Sequence, residues 1–346
     1  LNRSEMPFRL LDNLGSASMK SADLALDYTT GNTLVLKLMY EESINRTTLE
    51  FSFLEAMARI LKKSNPSRYF MFGSVVRAAK ESVKREQSMA DEVEKSRIAK
   101  QLYARYNDFR VPNEALISPR LSAAEYAPGT SIRQLTPAQQ AHVAARILET
   151  GNDILFGSEG DQAFDPDRHA GNFRHQVMAT GAIINHAIDW GQLITVSAAQ
   201  RTQIVRLFAA AAALSRAGTE DFLVNEIIET LGLTASTAQR QALSRILKQV
   251  FPVSDTLDIT NYYTLLAALE EWGQPQPIVF FDFVRAIMQY DYYEKFLPAD
   301  TRAATRTPTR IMTELVNIEV SRIEPQLSGL RVRLGHMWER CKELLE

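Results

Sequence analysis

The sequence predicts an α+β chain of two lobes, a small one of mixed β-sheet and helix followed by a larger one that is mainly helical. Three observations carry this. Leu34-Val35-Leu36-Lys37-Leu38-Met39 follows a turn at Thr30-Gly31-Asn32 and reads as a buried strand holding one lysine. A second pair of short strand patterns brackets residues 172–188. Beyond Gly191 the apolar spacing is helical to the end, with extra C-terminal helices. At 346 residues the chain fits two to three packed units, given domains of about 100–200 residues. The expected units are 1–128, 129–235 and 236–346, with the lobe boundary near 127–131.

Residues 10–40 read as a hairpin region in which the loop Leu14-Gly15-Ser16-Ala17-Ser18 precedes the lysine strand. Lys37 needs a partner, because an isolated ammonium in an apolar setting is costly; the alternative is an edge lysine whose head reaches water. From Thr47 to Lys63 the stripe Leu49, Phe53, Leu54, Met57, Ile60 and Leu61 predicts a helix stopped by Ser64-Asn65-Pro66. One long helix is expected from Ser74 to Tyr106, with Glu86 on its inward stripe beside Val83 and Ala90. Arg120 to Tyr126 is strand-like and is broken by Pro128-Gly129. Thr136, Pro137 and Gln139 form a capping box that opens a helix ending near Gly151. Ser197 with Gln200 opens the next; Thr219 is expected to cap another, and Thr260, Pro275 to Pro277, Pro298 and Pro308 punctuate the remainder.

Composition excludes several classes. With 39 Lys+Arg against 41 Asp+Glu the net charge is −2, which gives no general attraction to nucleic acid or an anionic membrane. The single cysteine, Cys341, rules out a disulfide framework within the chain and favours a reducing, cytoplasmic setting. No apolar run reaches the length of a membrane span, so any membrane association would be peripheral. The start at Leu1 suggests a processed or trimmed segment.

The chemistry concentrates in FDPDRHAGNF and in the triplet Asp189-Trp190-Gly191. Asn172 stands five residues after Asp167, and a hairpin running from Phe173 and returning through Gly181 to Ile188 would bring Asn172 and Asp189 together. Phosphoryl transfer asks little covalent help from a protein but much charge management. Lys37 would pair with the α/β-phosphates of ATP, Asp167 would orient an acceptor hydroxyl or water, and Asn172 and Asp189 would ligate Mg²⁺ through oxygen. Asp167 is chosen over Asp165 because only Asp167 has Asn172 at the fifth position. A dinuclear-metal hydrolase is excluded, since no His/Asp ligand spacing accompanies the acids. His169 reads as a support of the loop rather than a general base.

These motifs together resemble the UbiB/AarF-type atypical kinases, over roughly residues 10–235. DRHAGN is similar to that family's DxHPGN, with Ala170 in place of proline; IDWGQ is similar to LDFGQ, with Trp190 in place of phenylalanine. LGSASM resembles the alanine-rich nucleotide loop, and LVLKLMYEE resembles the VAVKV strand. The resemblance implies a bilobal protein-kinase-like fold and ATP and Mg²⁺ as cofactors. REQSMADEVE at 85–94 resembles the family's E-x-D-x-x-x-E-A segment, which implies Glu86 as the partner of Lys37 and Glu92 as the second acid, with Ser88 in place of the Asp. Gly15, Ala17 and Ser18 map to phosphate cover, and Glu125 and Ala127 to the hinge that meets adenine. The family's N-terminal K-x-G-Q extension has no counterpart in these residues. The implied activity is phosphoryl transfer from ATP to an acceptor that the sequence does not name, whether protein, small molecule, lipid-linked compound or water. The alternative is a nucleotide-binding pseudokinase acting as a regulatory interaction module, suggested by the Ser88 and Ala170 departures.

Overall fold

The computed structural model describes residues 7–16, 20–64, 66–157, 160–217, 224–225, 227–229, 234–250, 278–302 and 304–318. The N-terminal part is built on an antiparallel sheet of five strands, β1 (Phe8–Ser16), β2 (Lys20–Asp27), β3 (Thr33–Met39), β5 (Glu114–Ser118) and β6 (Leu121–Glu125), in the order β1-β2-β3-β6-β5. β4 (Phe109–Arg110) belongs to a second sheet described below. The β2–β3 turn falls where Thr30-Gly31-Asn32 predicts it, and Gly31 takes a φ of 70°, the left-handed region that glycine enters without a Cβ penalty. The register sets Lys37 opposite Ala22 on β2 and Ser122 on β6, and Val35 opposite Ala124. Because side chains alternate along a strand, Val35 and Lys37 share one face, and with Ala22 and Ala124 they line a cleft.

Three helices separate β3 from β4: α1 (Glu41–Ser64), α2 (Pro66–Glu86) and α3 (Met89–Tyr103). The stop at Ser64-Asn65-Pro66 holds, but two expectations fail. α1 buries Phe51 and Ala58, whereas Leu49, Phe53, Met57 and Ile60 of the expected inward stripe are 39–72 % exposed. The helical period is right and the face is rotated. The expected single helix from Ser74 to Tyr106 is two, broken at Gln87. Ser88 has an extended backbone, and its side chain accepts a hydrogen bond from Asp91 N, which makes it the N-cap of α3. Capping satisfies an amide that the first helical turn leaves unpaired. The buried stripe of α3 restarts from that cap as Met89, Glu92, Ser96, Ala99 and Tyr103, so Ala90, Arg97 and Ile98 fall on its outer face.

The helical lobe opens with α4 (Pro137–Phe156), and the Thr136–Gln139 capping box forms as predicted. α4 runs past Gly151 rather than ending near it. A Cβ on Gly151 would sit 2.4 Å from Cδ1 of Tyr290, so the glycine lets an aromatic ring lie on the helix backbone. β7 (Gln162–Phe164) pairs with β10 (Ile194–Val196), a strand that the helical reading beyond Gly191 missed. β8 (Phe173–Val177) and β9 (Ile183–Ala187) form the expected hairpin, and β4 adds in parallel to β9. α5 (Ala198–Ala217) starts at the Ser197–Gln200 capping pair. α6 (Thr237–Val250) and α7 (Ile278–Asp291) follow, α7 beginning just after Pro277. Thr219 and Thr260 lie outside the described residues. Phe164, Phe173, Trp190, Ile147, Phe283 and Tyr290 belong to one buried cluster that joins α4, the β8–β9 hairpin and α7. The α+β division into a β-sheet lobe and a helical lobe is a kinase-like fold. No helix among the described residues is long and apolar enough to cross a membrane.

Candidate active site

A cleft of about 730 Å³ lies between the five-stranded sheet, α2 and α3 on one side and the β9–β10 connection on the other. Of the residues expected to serve it, Gly15, Lys37, Glu86, Glu125, Ala127 and Asp189 all line it. Ala17 and Ser18 lie outside the described residues. Gly15 lies near the end of β1, with nothing within 4 Å of where a Cβ would stand. Glu125 is held at the end of β6 by Asn113, whose backbone N donates to Oε2 at 2.9 Å and whose Nδ2 donates to Oε1 at 2.6 Å.

Lys37 is partly buried and paired, as a strand lysine must be, but not with the acid the resemblance implies. Its Nζ lies 2.7 Å from Glu92 Oε1 and 3.0 Å from Glu114 Oε2. Burial acts to lower the ammonium's pKa, and the two carboxylates, Glu92 foremost, reverse that and hold it above its ordinary value. Glu86 instead accepts from Gln192 Nε2 at 2.5 Å, and burial pushes its carboxyl up. The break at Ser88 is the physical reason. Glu86 ends α2, whereas Glu92 is the second residue of the buried stripe of α3, aimed at the strand. A carboxylate standing between Met89 and Ser96 at helical spacing is the signal that could have identified it.

Glu92 is 1 % exposed, and its second oxygen accepts from Lys20 Nζ. Ser122 Oγ donates to Glu114 Oε1 at 2.6 Å. The cleft wall therefore carries alternating charges, Lys20, Glu92, Lys37, Glu114, each satisfied by its neighbour. Although burial opposes it, the two ammonium groups hold the Glu92 carboxyl well below the usual carboxylate range. Glu92→Gln is expected to cost about 1.5–3 kcal/mol of stability, the range for a hydrogen bond to a charged group, and Glu86→Gln, which breaks no ion pair, less. A depressed carboxylate stabilises fully above its unfolded pKa of 4.5 and loses that contribution as pH falls through the native value. The gap between wild type and Glu92→Gln in urea melts should accordingly shrink in acid.

The loop from Phe164 to Phe173 separates its two aspartates by burial. Asp165 is 2 % exposed, accepts from Asp167 N at 2.7 Å, and stands 2.8 Å from Arg168, itself fully buried. That contact is ionic rather than an aligned hydrogen bond, since Asp165 Oδ2 has no hydrogen-bond partner among the described residues. Arg168 is 4.0 Å from the centroid of the Trp190 ring and donates to the carbonyls of Ile188, at 3.0 Å, and Asp189. The aromatic ring of the Asp189-Trp190-Gly191 triplet is thus the floor on which the loop's arginine rests. Asp167 is partly exposed, and its Oδ1 is ion-paired with Arg285 of α7. His169 accepts from Gly171 N at 3.0 Å, a supporting contact.

Asn172 and Asp189 are brought together by the β8–β9 hairpin, whose register opposes Phe173 to Ala187, while Ile188 N donates to Asn172 O at 3.0 Å. Asn172 Nδ2 donates to Asp167 O at 2.7 Å, an orientation that leaves the amide oxygen for another partner. Asp189 has a φ of 60°, a sparsely populated region for a residue with a side chain, and its carbonyl is held there by Arg168. No group of three His, Cys, Asp or Glu side chains among the described residues could hold a metal alone. One carboxylate and one amide oxygen fit Mg²⁺, which takes few protein ligands and completes its shell from water and phosphate oxygens.

Arg285 and Lys20 were not anticipated. Arg285 stands 118 positions from Asp167, and nothing in its local pattern points to the loop. Lys20 looks like an ordinary strand-end residue until the sheet folds over α3.

No curated protein matches the chain. Among solved structures, Rv3197 from Mycobacterium tuberculosis in complex with erythromycin is 17% identical, with a TM-score of 0.45, over 92% of this chain and 75% of that one. The Rio2 kinase–ADP/Mg²⁺–phosphoaspartate complex from Chaetomium thermophilum is 14% identical, with a TM-score of 0.31, over 82% of this chain and 72% of that one. Residues 10–221 match the model of the ABC1 atypical kinase-like domain, the family to which this chain belongs.

Proposed function

We propose that this chain is an ATP- and Mg²⁺-dependent atypical kinase or ATPase of the UbiB type, transferring the γ-phosphoryl group of ATP to an acceptor or to water. The observation that carries the reading is one cleft in which a paired strand lysine, Lys37, faces Asp189, with Asn172 joined to Asp189 by the hairpin. In this reading Lys37 holds the α/β-phosphates, with Glu92 in the pairing role and Glu86 tied to Gln192. Asn172 and Asp189 hold Mg²⁺, which supplies positive charge to the phosphate oxygens. Gly15 with Ala17 and Ser18 covers the phosphates, and the backbone around Glu125 and Ala127 meets adenine. Asp167 orients the attacking hydroxyl. Residues 1–128 form the nucleotide lobe, 129–235 carry the catalytic loop, and 236–346 pack on it, with α7 reaching Asp167. Ser88 caps α3 in the way an aspartate would, so this departure leaves the lysine pair intact.

A second reading, a pseudokinase that binds nucleotide as a switch, is favoured by the ion pair between Asp167 and Arg285, which occupies one oxygen of the candidate base. Release of ADP and phosphate from Mg-ATP by the wild-type chain separates the two. Turnover above a Lys37→Met background supports the enzyme, and Mg-ATP binding without turnover supports the switch.

A further inference from the structure

We infer that Lys20 is a second phosphate-binding cation of the cleft, so that the phosphate end of the nucleotide is held by two lysines that share one buried glutamate. The inference rests on the nucleotide-binding reading above and adds a residue to it.

Lys20 opens β2 and pairs in register with Met39. Its side chain is 16 % exposed and lines the same cleft as Lys37 and Asp189. The position along the cleft is fixed by Gly191: the point where a Cβ on Gly191 would stand lies 3.7 Å from Lys20 Nζ and 3.8 Å from Asp189 Oδ1. Lys20 therefore sits at the metal end, opposite the Glu125–Ala127 end. An ammonium has three donors. Among the described residues Lys37 spends two, on Glu92 and Glu114, whereas Lys20 spends one, on Glu92. Lys20 is the cation with more unspent donors.

The charge balance points the same way. Asp12, Glu86, Glu92, Glu114, Glu125 and Asp189 line the cleft against Lys20, Lys37 and Arg174, and a triphosphate adds further negative charge. Each cation at the phosphate end matters in a partly desolvated site, where charge-assisted hydrogen bonds are the strong ones. Glu92 lets both ammonium groups stand in one place by accepting from each on a separate oxygen, and each keeps a donor on it when phosphate arrives.

The test is isothermal titration of the full chain with Mg-ATP, Mg-ADP and adenosine. Lys20→Met should weaken Mg-ATP by about 10- to 100-fold, the span of one charged hydrogen bond, with a smaller loss for Mg-ADP and adenosine unchanged. Lys20→Arg should restore most of the ATP affinity. Lys20→Gln, which keeps a donor for Glu92 without the charge, serves where Lys20→Met does not fold, and should show the same selective loss. An ATP affinity within twofold of wild type in a folded Lys20→Met or Lys20→Gln chain overturns the inference, as does equal weakening of ATP and adenosine. If the wild-type chain binds no Mg-ATP, both this inference and the proposed function fall. If it does, and Lys37→Met weakens it while Lys20→Met does not, only the role of Lys20 falls.

Discussion

Asp167→Asn is expected to lower turnover of Mg-ATP by about 10²- to 10⁴-fold, the usual contribution of a positioned proton acceptor, with nucleotide affinity nearly unchanged. The substitution keeps the shape of the side chain and the backbone contacts of the loop, including Asn172 Nδ2 to the residue 167 carbonyl. It removes the negative charge that Arg285 now balances and that is proposed to face the acceptor. Asp189→Asn should differ in kind. That carboxylate is the one charged protein oxygen proposed for Mg²⁺, so its loss should weaken Mg-ATP binding as well as turnover, and raising the Mg²⁺ concentration should recover part of the binding. Steady-state rates and titrations across a magnesium series distinguish the two signatures. Equal turnover in wild type and both variants would remove Asp167 and Asp189 from the chemistry and leave the switch reading.

Arg168→Met should destabilise the fold by about 3–5 kcal/mol, the cost of leaving one member of a buried ion pair alone. Arg168 is fully buried, faces Asp165 at 2.8 Å, stacks on Trp190, and fixes the carbonyls on either side of the Asp189 Cα. Its removal strands the Asp165 carboxylate and frees the strained backbone of Asp189, so stability and activity should fall together. The pH dependence has a definite sign. Burial already holds the Asp165 carboxyl above its ordinary value of 3.8, so the native fold binds the proton more readily than the unfolded chain and loses stability as pH rises. Without Arg168 that shift widens, and the variant should be closest to wild type in mild acid and furthest from it at neutral pH. Adding Asp165→Asn to Arg168→Met should recover part of the loss. Chemical denaturation at a series of pH values measures both effects.

Local chemistry was legible in the sequence wherever neighbours along the chain decide it. The Thr136–Gln139 and Ser197–Gln200 capping pairs, the turn at Gly31 and the hairpin between Asn172 and Asp189 each depend on residues within one turn or one strand pair. Glu92 was misread for a reason of the same scale. The resemblance set Glu86 as the partner and a helix carried unbroken through Ser88 kept Glu86 on the inward face, while the N-cap at Ser88 restarts the helical phase and turns Glu92 to the core. The α1 stripe failed otherwise, since periodicity tells that a helix has an apolar face and does not tell which neighbour covers it.

By itself the sequence determined the strand lysine, the loop carrying Asp167 and Asn172, and the hairpin delivering Asp189, because each is a short pattern whose spacing fixes its geometry. Only the tertiary structure decided which acid meets Lys37, that Lys20 shares it, and that Arg285 of α7 reaches Asp167. Those contacts join residues 55, 72 and 118 positions apart. At such separations the packing of whole elements, rather than the spacing of residues along the chain, sets which charges are close enough to pair.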